Sequence, residues 1–264
     1  MMKFLLLISL FFVNVIMSGC NSSEPLSQPT QPILPQVNVT CNELSFYLDP
    51  TLGEETACEL VPESTNPSMP SYYVFIYPTH TELSIQNYPQ TQTQFPPQIW
   101  VYPIQRFIEL LPDIISPRLS EMQNYIASGT WTEGVRPFLP AILEKQSFIT
   151  HEKGLSFNGG QGVRYITQYT EGPKPITNMN IIYTFQGLTN DGKYWVAVTL
   201  PISNPILPDE YDSLPSGYTQ ESLLLNYETY ISDVKDSLQE QTIISFSPTI
   251  DILDSLVESI TLNQ

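Results

Sequence analysis

Two histidines and four arginines are the scarce chemical groups of this 264-residue chain, and 27 acidic residues surround them. His80 stands in Pro78-Thr79-His80-Thr81-Glu82. A histidine oriented by a nearby carboxylate can act as a general base, and Glu82 is the candidate orienter. The plainer reading puts His80 in the turn joining two strands, where either role would place it. Arg164 could clamp a carboxylate ligand through two parallel hydrogen bonds, or it could pair with one of the many acids of the chain itself. His80 and Arg164 are therefore the candidate ligand-binding residues, and no catalytic residue is assigned. His151-Glu152 begins like a metalloprotease helix, but Leu155 stands where the second histidine is required, which removes that reading. Gly159-Gly160-Gln161-Gly162 has neither the dinucleotide-binding spacing nor a following P-loop lysine. Its glycines are expected to serve a hairpin turn or bulge. Carboxylate pairs together with Trp100, Trp131 and Trp195 are the ingredients of a glycosidase. Acids are so frequent here that chance pairs are expected, and most of the aromatics follow strand periodicity. No Gly-x-Ser-x-Gly elbow occurs. Nothing in these patterns calls for a cofactor or a metal.

The cysteines carry a different chemistry. Lys3 precedes an apolar run from Phe4 to Met17, followed by Ser18, Gly19 and Cys20. The run is too short to span a bilayer, which takes about 20 residues. Its charged start, apolar middle and small-residue end are those of a secretory leader. Because it ends on a cysteine, it resembles a bacterial lipoprotein signal with Met17-Ser18-Gly19-Cys20 as the lipobox, although Leu is usual at the place of Met17. The resemblance implies cleavage before Cys20 and lipidation of its thiol, so residues 1–19 are expected to be a signal peptide. Two cysteines remain, Cys41 and Cys58. Outside the cytoplasm such a pair is expected to form a disulfide, worth on the order of 3 kcal/mol in the chain-entropy model for a loop of this length. A two-cysteine metal site would need further ligands, and only His80 and His151 are on offer.

Charge narrows the partners. Without residues 1–19 the chain keeps nine basic and 27 acidic residues, a formal charge of −18. Such a field repels nucleic acid and anionic lipid headgroups. No nucleic-acid partner is expected, and membrane association must come from the acyl chains. With 11% aromatic residues and only 14% charged, the chain is expected to fold rather than remain disordered.

Residues 20–40 carry Pro25, Pro29, Pro32 and Pro35 without apolar periodicity, and read as a tether behind the lipidated cysteine. Residues 41–264 are expected to form a single α+β domain, with 41–102 as a small N-terminal β subdomain in an alternative division. Strands are expected at Leu44–Leu48, Ala57–Val61, Tyr72–Tyr77, Glu82–Gln86 and Ile99–Tyr102, the first two forming a hairpin-like pair that brings Cys41 to Cys58. Ile104, Phe107, Ile108 and Leu111 make a helical stripe that Pro112 ends. A second helix is expected after Ser116, with Pro117 in its first turn and Gly129 at its end. Ser147–His151 and Leu155–Phe157 read as strands flanking a turn at Lys153-Gly154. Val163–Tyr169 alternates strictly, and Ile181–Gln186 and Tyr194–Leu200 bracket Asp191-Gly192, a hairpin signal. Beyond a proline-rich loop, Thr219 caps one long helix, and Ser247-Pro248 reads as the start of a last one with Ile250, Leu253, Leu256, Val257 and Ile260 as its stripe. The eleven acids from Pro208 onward read as a solvated face. Strands first, helices between and hairpins later predict an antiparallel sheet of hairpin-connected strands packed with helices.

Several of these stretches resemble an uncharacterised family of bacterial envelope lipoproteins: Leu44 to Pro50, Tyr77 to Leu83, Gly162 to Tyr169 and Tyr183 to Tyr194. A looser likeness is to the Mog1/PsbP-like α/β/α fold, in which a final helix runs into a short strand, as Asp254 to Leu262 can. Neither likeness assigns an activity or a functional residue. The expectation is a lipid-anchored, extracytoplasmic module of the cell membrane or outer membrane that binds or supports envelope components without catalysis. The alternatives are a glycosidase-like secreted hydrolase, if acids gather at His80 or Arg164, and an accessory subunit docking to a membrane complex with an envelope protein as partner.

Overall fold

The computed structural model describes residues 37–263, apart from 66–72, 91–92, 133, 211–213 and 215–217. The leader, Cys20 and most of the expected tether lie outside the described residues, as does Tyr72. In chain order come β1 (Val37–Cys41), β2 (Leu44–Leu48), β3 (Glu55–Val61), β4 (His80–Gln86), β5 (Gln98–Pro103), α1 (Ile104–Leu110), α2 (Pro112–Ser128), β6 (Lys145–Phe157), β7 (Gly160–Thr170), β8 (Ile182–Thr189), β9 (Tyr194–Pro201), α3 (Gln220–Leu225), α4 (Tyr227–Gln239), α5 (Ile250–Glu258) and β10 (Thr261–Leu262). Among the described residues every pairing between two of these strands is antiparallel, and the class is α+β. One sheet has seven strands in the order β3-β4-β5-β9-β8-β7-β6; a smaller one runs β1-β2-β10. The β5–β9 pairing joins the N-terminal strands to the later hairpins.

Period-two alternation decides which side of the large sheet each residue serves. Leu83, Ile85, Ile99, Val101, Tyr183, Phe185, Val196 and Val198 face one core, completed by β2 and by the buried stripe of α5. Trp100, Tyr102, Val163, Tyr165 and Trp195 face the other, completed by Ile104 and Phe107 of α1 and Ile115 and Met122 of α2. The helices thus lie on both faces. β3 and β6 are the edges. β3 guards its edge with Glu55 and Glu59, both exposed, and charge on an edge strand discourages pairing with another chain.

Cys41 and Cys58 form a disulfide. It does not close a β2–β3 hairpin, because β2 pairs with β1 and β10 while β3 pairs with β4. The bond links the two sheets instead. Other sequence expectations change for local reasons. Within Tyr72–Tyr77, residues Tyr73–Phe75 form a 3-10 turn, not a buried strand. α2 begins at Pro112, directly after α1, so that Pro117 lies in its interior; Gly129 does cap it in the left-handed region, φ 71°, as glycine readily can. The two strands expected around Lys153-Gly154 are one strand, β6, bulged between Thr150 and Lys153 with His151 at φ 49°. The long helix breaks at Asn226 into α3 and α4, although Thr219 caps it as expected, with Ser222 returning the hydrogen bond. Thr249, not Ser247, precedes the last helix. Gly162 lies opposite Gly187. A Cβ on Gly162 would collide with the Gln186 carbonyl and with Gly187 Cα, so this close approach of β7 and β8 requires glycine.

Candidate functional site

Arg164 projects from β7 toward α5, and alternation along the strand puts it beside Ile166 and opposite Val163 and Tyr165. It is buried. Its Nε donates to Asp254 Oδ1 at 3.0 Å, Nη2 reaches Asp254 Oδ2 at 3.5 Å, and Nη1 donates to the His151 carbonyl. Asp254 also accepts from Tyr183 Oη at 3.0 Å and from Lys153 Nζ at 3.1 Å. Burial and the Asp254 charge push the Tyr183 hydroxyl well above its ordinary value, so it stays a donor. This node fastens α5 to β6, β7 and β8. It also explains the β6 bulge: the left-handed turn at His151 aims its carbonyl at Arg164, its N–H at Gln239 Oε1 (3.0 Å) and its ring at the Leu238 carbonyl (2.8 Å). Among the described C-terminal acids, expected to be solvated, Asp254 is the one that is buried. Arg164 therefore pairs with an acid of its own chain.

His80 is the first residue of β4, not part of a turn, and it is buried. Its Nδ1 donates to the Pro78 carbonyl at 2.8 Å, and its ring packs 4.5 Å from that of Tyr102 and edge-on to Tyr77. Nε2 faces Glu82 Oε2 at 4.0 Å, beyond hydrogen-bond reach. Glu82 is held elsewhere, accepting from Gln98 Nε2 at 2.6 Å and Trp100 Nε1 at 3.0 Å. Desolvation lowers the His80 pKa below the usual imidazole value, against the opposing pull of the Pro78 carbonyl, Glu82 and Glu59. His80 and Arg164 face opposite sides of the seven-stranded sheet, with β5, β9 and β8 between their strands. The structure does not bring them together.

Of the tryptophans, Trp100 and Trp195 are buried in the core beneath α1 and α2. Trp131 is partly exposed, stacked 4.2 Å from Tyr125, with the Arg136 guanidinium over its ring. Among the described residues, no group of three or more His, Cys, Asp or Glu side chains is placed to hold a metal.

A cleft that sequence reasoning missed opens between α2, the segment 135–146 and β7. Its volume is about 220 Å³, and Pro117, Arg118, Glu121, Phe138, Ile142 and Tyr169 are among the residues that line it. Arg118 is partly buried, and its Nη1 is inaccessible and has no hydrogen-bond partner. The only sequence signal was a cation one position after a helical proline. No protein-family model, curated protein or solved structure matches this chain.

Proposed function

We propose that the protein is a lipid-anchored, extracytoplasmic binding or structural module of the cell envelope, held in the cell membrane or outer membrane through Cys20. The lipobox-like Met17-Ser18-Gly19-Cys20 behind an apolar leader carries this reading. The Cys41–Cys58 disulfide supports it, because such bonds persist mainly outside the reducing cytoplasm. A charge of −17 on the whole chain leaves the acyl chains as the attachment, since anionic headgroups repel it. A single myristoyl-type chain binds only marginally, so stable anchoring takes more than one acyl group.

The two residues that a carboxylate-based hydrolase would have used are committed elsewhere: Arg164 to Asp254, and His80 to a buried place between tyrosines. This favours a binding or structural role over hydrolysis. The helices on both faces of the sheet and the run of α5 into β10 are in keeping with the Mog1/PsbP-like likeness, which extends the reading to docking on an envelope protein.

Metabolic labelling with an alkyne palmitate, read on the full chain and on Cys20→Ser, tests the anchor. We expect label and membrane fractionation for the parent chain and loss of both for Cys20→Ser. Label that persists in Cys20→Ser, or recovery from the cytosol with residues 1–19 intact, overturns the proposal.

A further inference from the structure

Three of the four arginines have carboxylate partners: Arg106 with Glu63 and Glu109, Arg136 with Glu152, and Arg164 with Asp254. Arg118 has none among the described residues. Tyr73, Tyr169 and Tyr165 are the titratable groups that act on it most. Two of these donate elsewhere, Tyr73 to the Ile142 carbonyl at 2.9 Å and Tyr165 to the Pro137 carbonyl at 3.2 Å. Tyr169 accepts from Gln146 Nε2 at 3.2 Å. Burial lowers the Arg118 pKa, yet a guanidinium stays charged at neutral pH. A partly desolvated cation that no carboxylate contacts directly is costly. It is the more unusual in a chain with 27 acids from which a partner could be drawn.

We propose that the Arg118 cleft binds a small organic monocarboxylate with an apolar body. The guanidinium supplies the counter-charge and N–H donors for a carboxylate. Pro117, Phe138, Ile142 and the Tyr169 ring supply apolar walls. At about 220 Å³ the space is below the ~300–1,000 Å³ of pockets for drug-sized ligands, which points to a body the size of one ring or a short branched chain. Arg136, paired with Glu152, also lines the cleft, as do Glu121 and Glu144. With the Arg136 charge offset by Glu152, the two glutamates disfavour a second negative charge on the ligand, so dicarboxylates and phosphate are selected against. This proposal rests on the binding-module reading, but it is tested apart from the anchor: the cleft lies within residues 117–169, and Cys20→Ser leaves it intact.

The test uses the full chain in detergent, titrated with benzoate and followed by calorimetry and by its thermal midpoint. We expect saturable one-site binding, and a midpoint that rises with benzoate as a ligand specific to the native state requires. Succinate and inorganic phosphate should bind about tenfold more weakly or worse. Arg118→Met should lose binding by at least about tenfold while melting no lower than the parent, because it removes a partly buried charge that no carboxylate contacts. If that variant does not fold, Ile142→Trp, which fills the cleft from another wall, should abolish binding with Arg118 in place. Failure of the parent chain to bind benzoate, equal binding by folded Arg118→Met, or phosphate binding as tightly as benzoate each overturns the proposal.

Discussion

The Arg164–Asp254 pair shows how a single residue can be essential without touching a ligand. Two charges are buried together, and each is offset by the other, by Lys153 beside Asp254, and by the hydrogen bonds from Tyr183 and to the His151 carbonyl. Removing one member strands its partner. Asp254→Asn is expected to cost about 3–5 kcal/mol, read as a lower urea midpoint. Tyr183→Phe, which removes one donor to the carboxylate, should cost about 1.5–3 kcal/mol. The histidines act on stability through pH. Burial lowers the pKa of both His80 and His151, the latter also through the nearby Arg164 charge. In the unfolded chain a histidine titrates near about 6.5. Between that value and the lower folded one, the unfolded state binds more protons, so stability rises with pH. The contribution is complete above about pH 6.5 and is lost as pH falls through the window, at up to about 1.4 kcal/mol per pH unit for each histidine. Urea midpoints between pH 7 and pH 5 should show this slope, and His80→Gln should flatten part of it. An unchanged slope in His80→Gln would mean that His80 titrates as it does in the unfolded chain.

At the scale of elements, what matters is how separate pieces are fastened. The β1–β2 pair touches the large sheet from the side of α5, and the disulfide ties β1 to β3 across a sequence separation of 17. The double variant Cys41→Ala/Cys58→Ala should lose about 3 kcal/mol in the chain-entropy model. Loss of thermal stability without loss of secondary structure, seen by circular dichroism, is the expected result. α5 holds its place by Ile250, Leu253, Leu256 and Val257, all buried. Leu253→Ala should cost about 2–5 kcal/mol, measured in the same urea titration. Gly162→Ala forces a methyl group into the Gln186 carbonyl across the β7–β8 pairing. It should destabilise more than a surface substitution, although alanine has the better intrinsic propensity.

For the whole molecule, charge is the governing quantity. A net charge of −17 repels itself, and at low salt little screens it: the Debye length is about 30 Å at 0.01 M and about 10 Å at 0.1 M. Raising NaCl across that range should raise the thermal midpoint. The surface pairs of Arg106 and of Lys193 with Asp191 work in the opposite direction, but exposed pairs contribute little. A midpoint that falls with salt would show that such pairs outweigh the repulsion.

The residues alone determined the α+β class, the alternating faces of β7, the Asp191-Gly192 hairpin, the Thr219 and Gly129 caps and the stripe of α5. Each of these is set by neighbours within a few positions, through side-chain period, turn chemistry or capping. The pairing of Cys41 with Cys58 was legible too, because only two cysteines followed Cys20. What only tertiary structure decided involves partners far apart in the chain. The β6 bulge answers to Gln239 and Arg164, and the buried Asp254 answers to Arg164, 90 residues earlier. The joining of two sheets by the disulfide depends on β1 pairing with β2 while β3 pairs with β4. The Arg118 cleft is formed by α2, the segment 135–146 and β7, and no local pattern marks a cation whose counter-charge is missing.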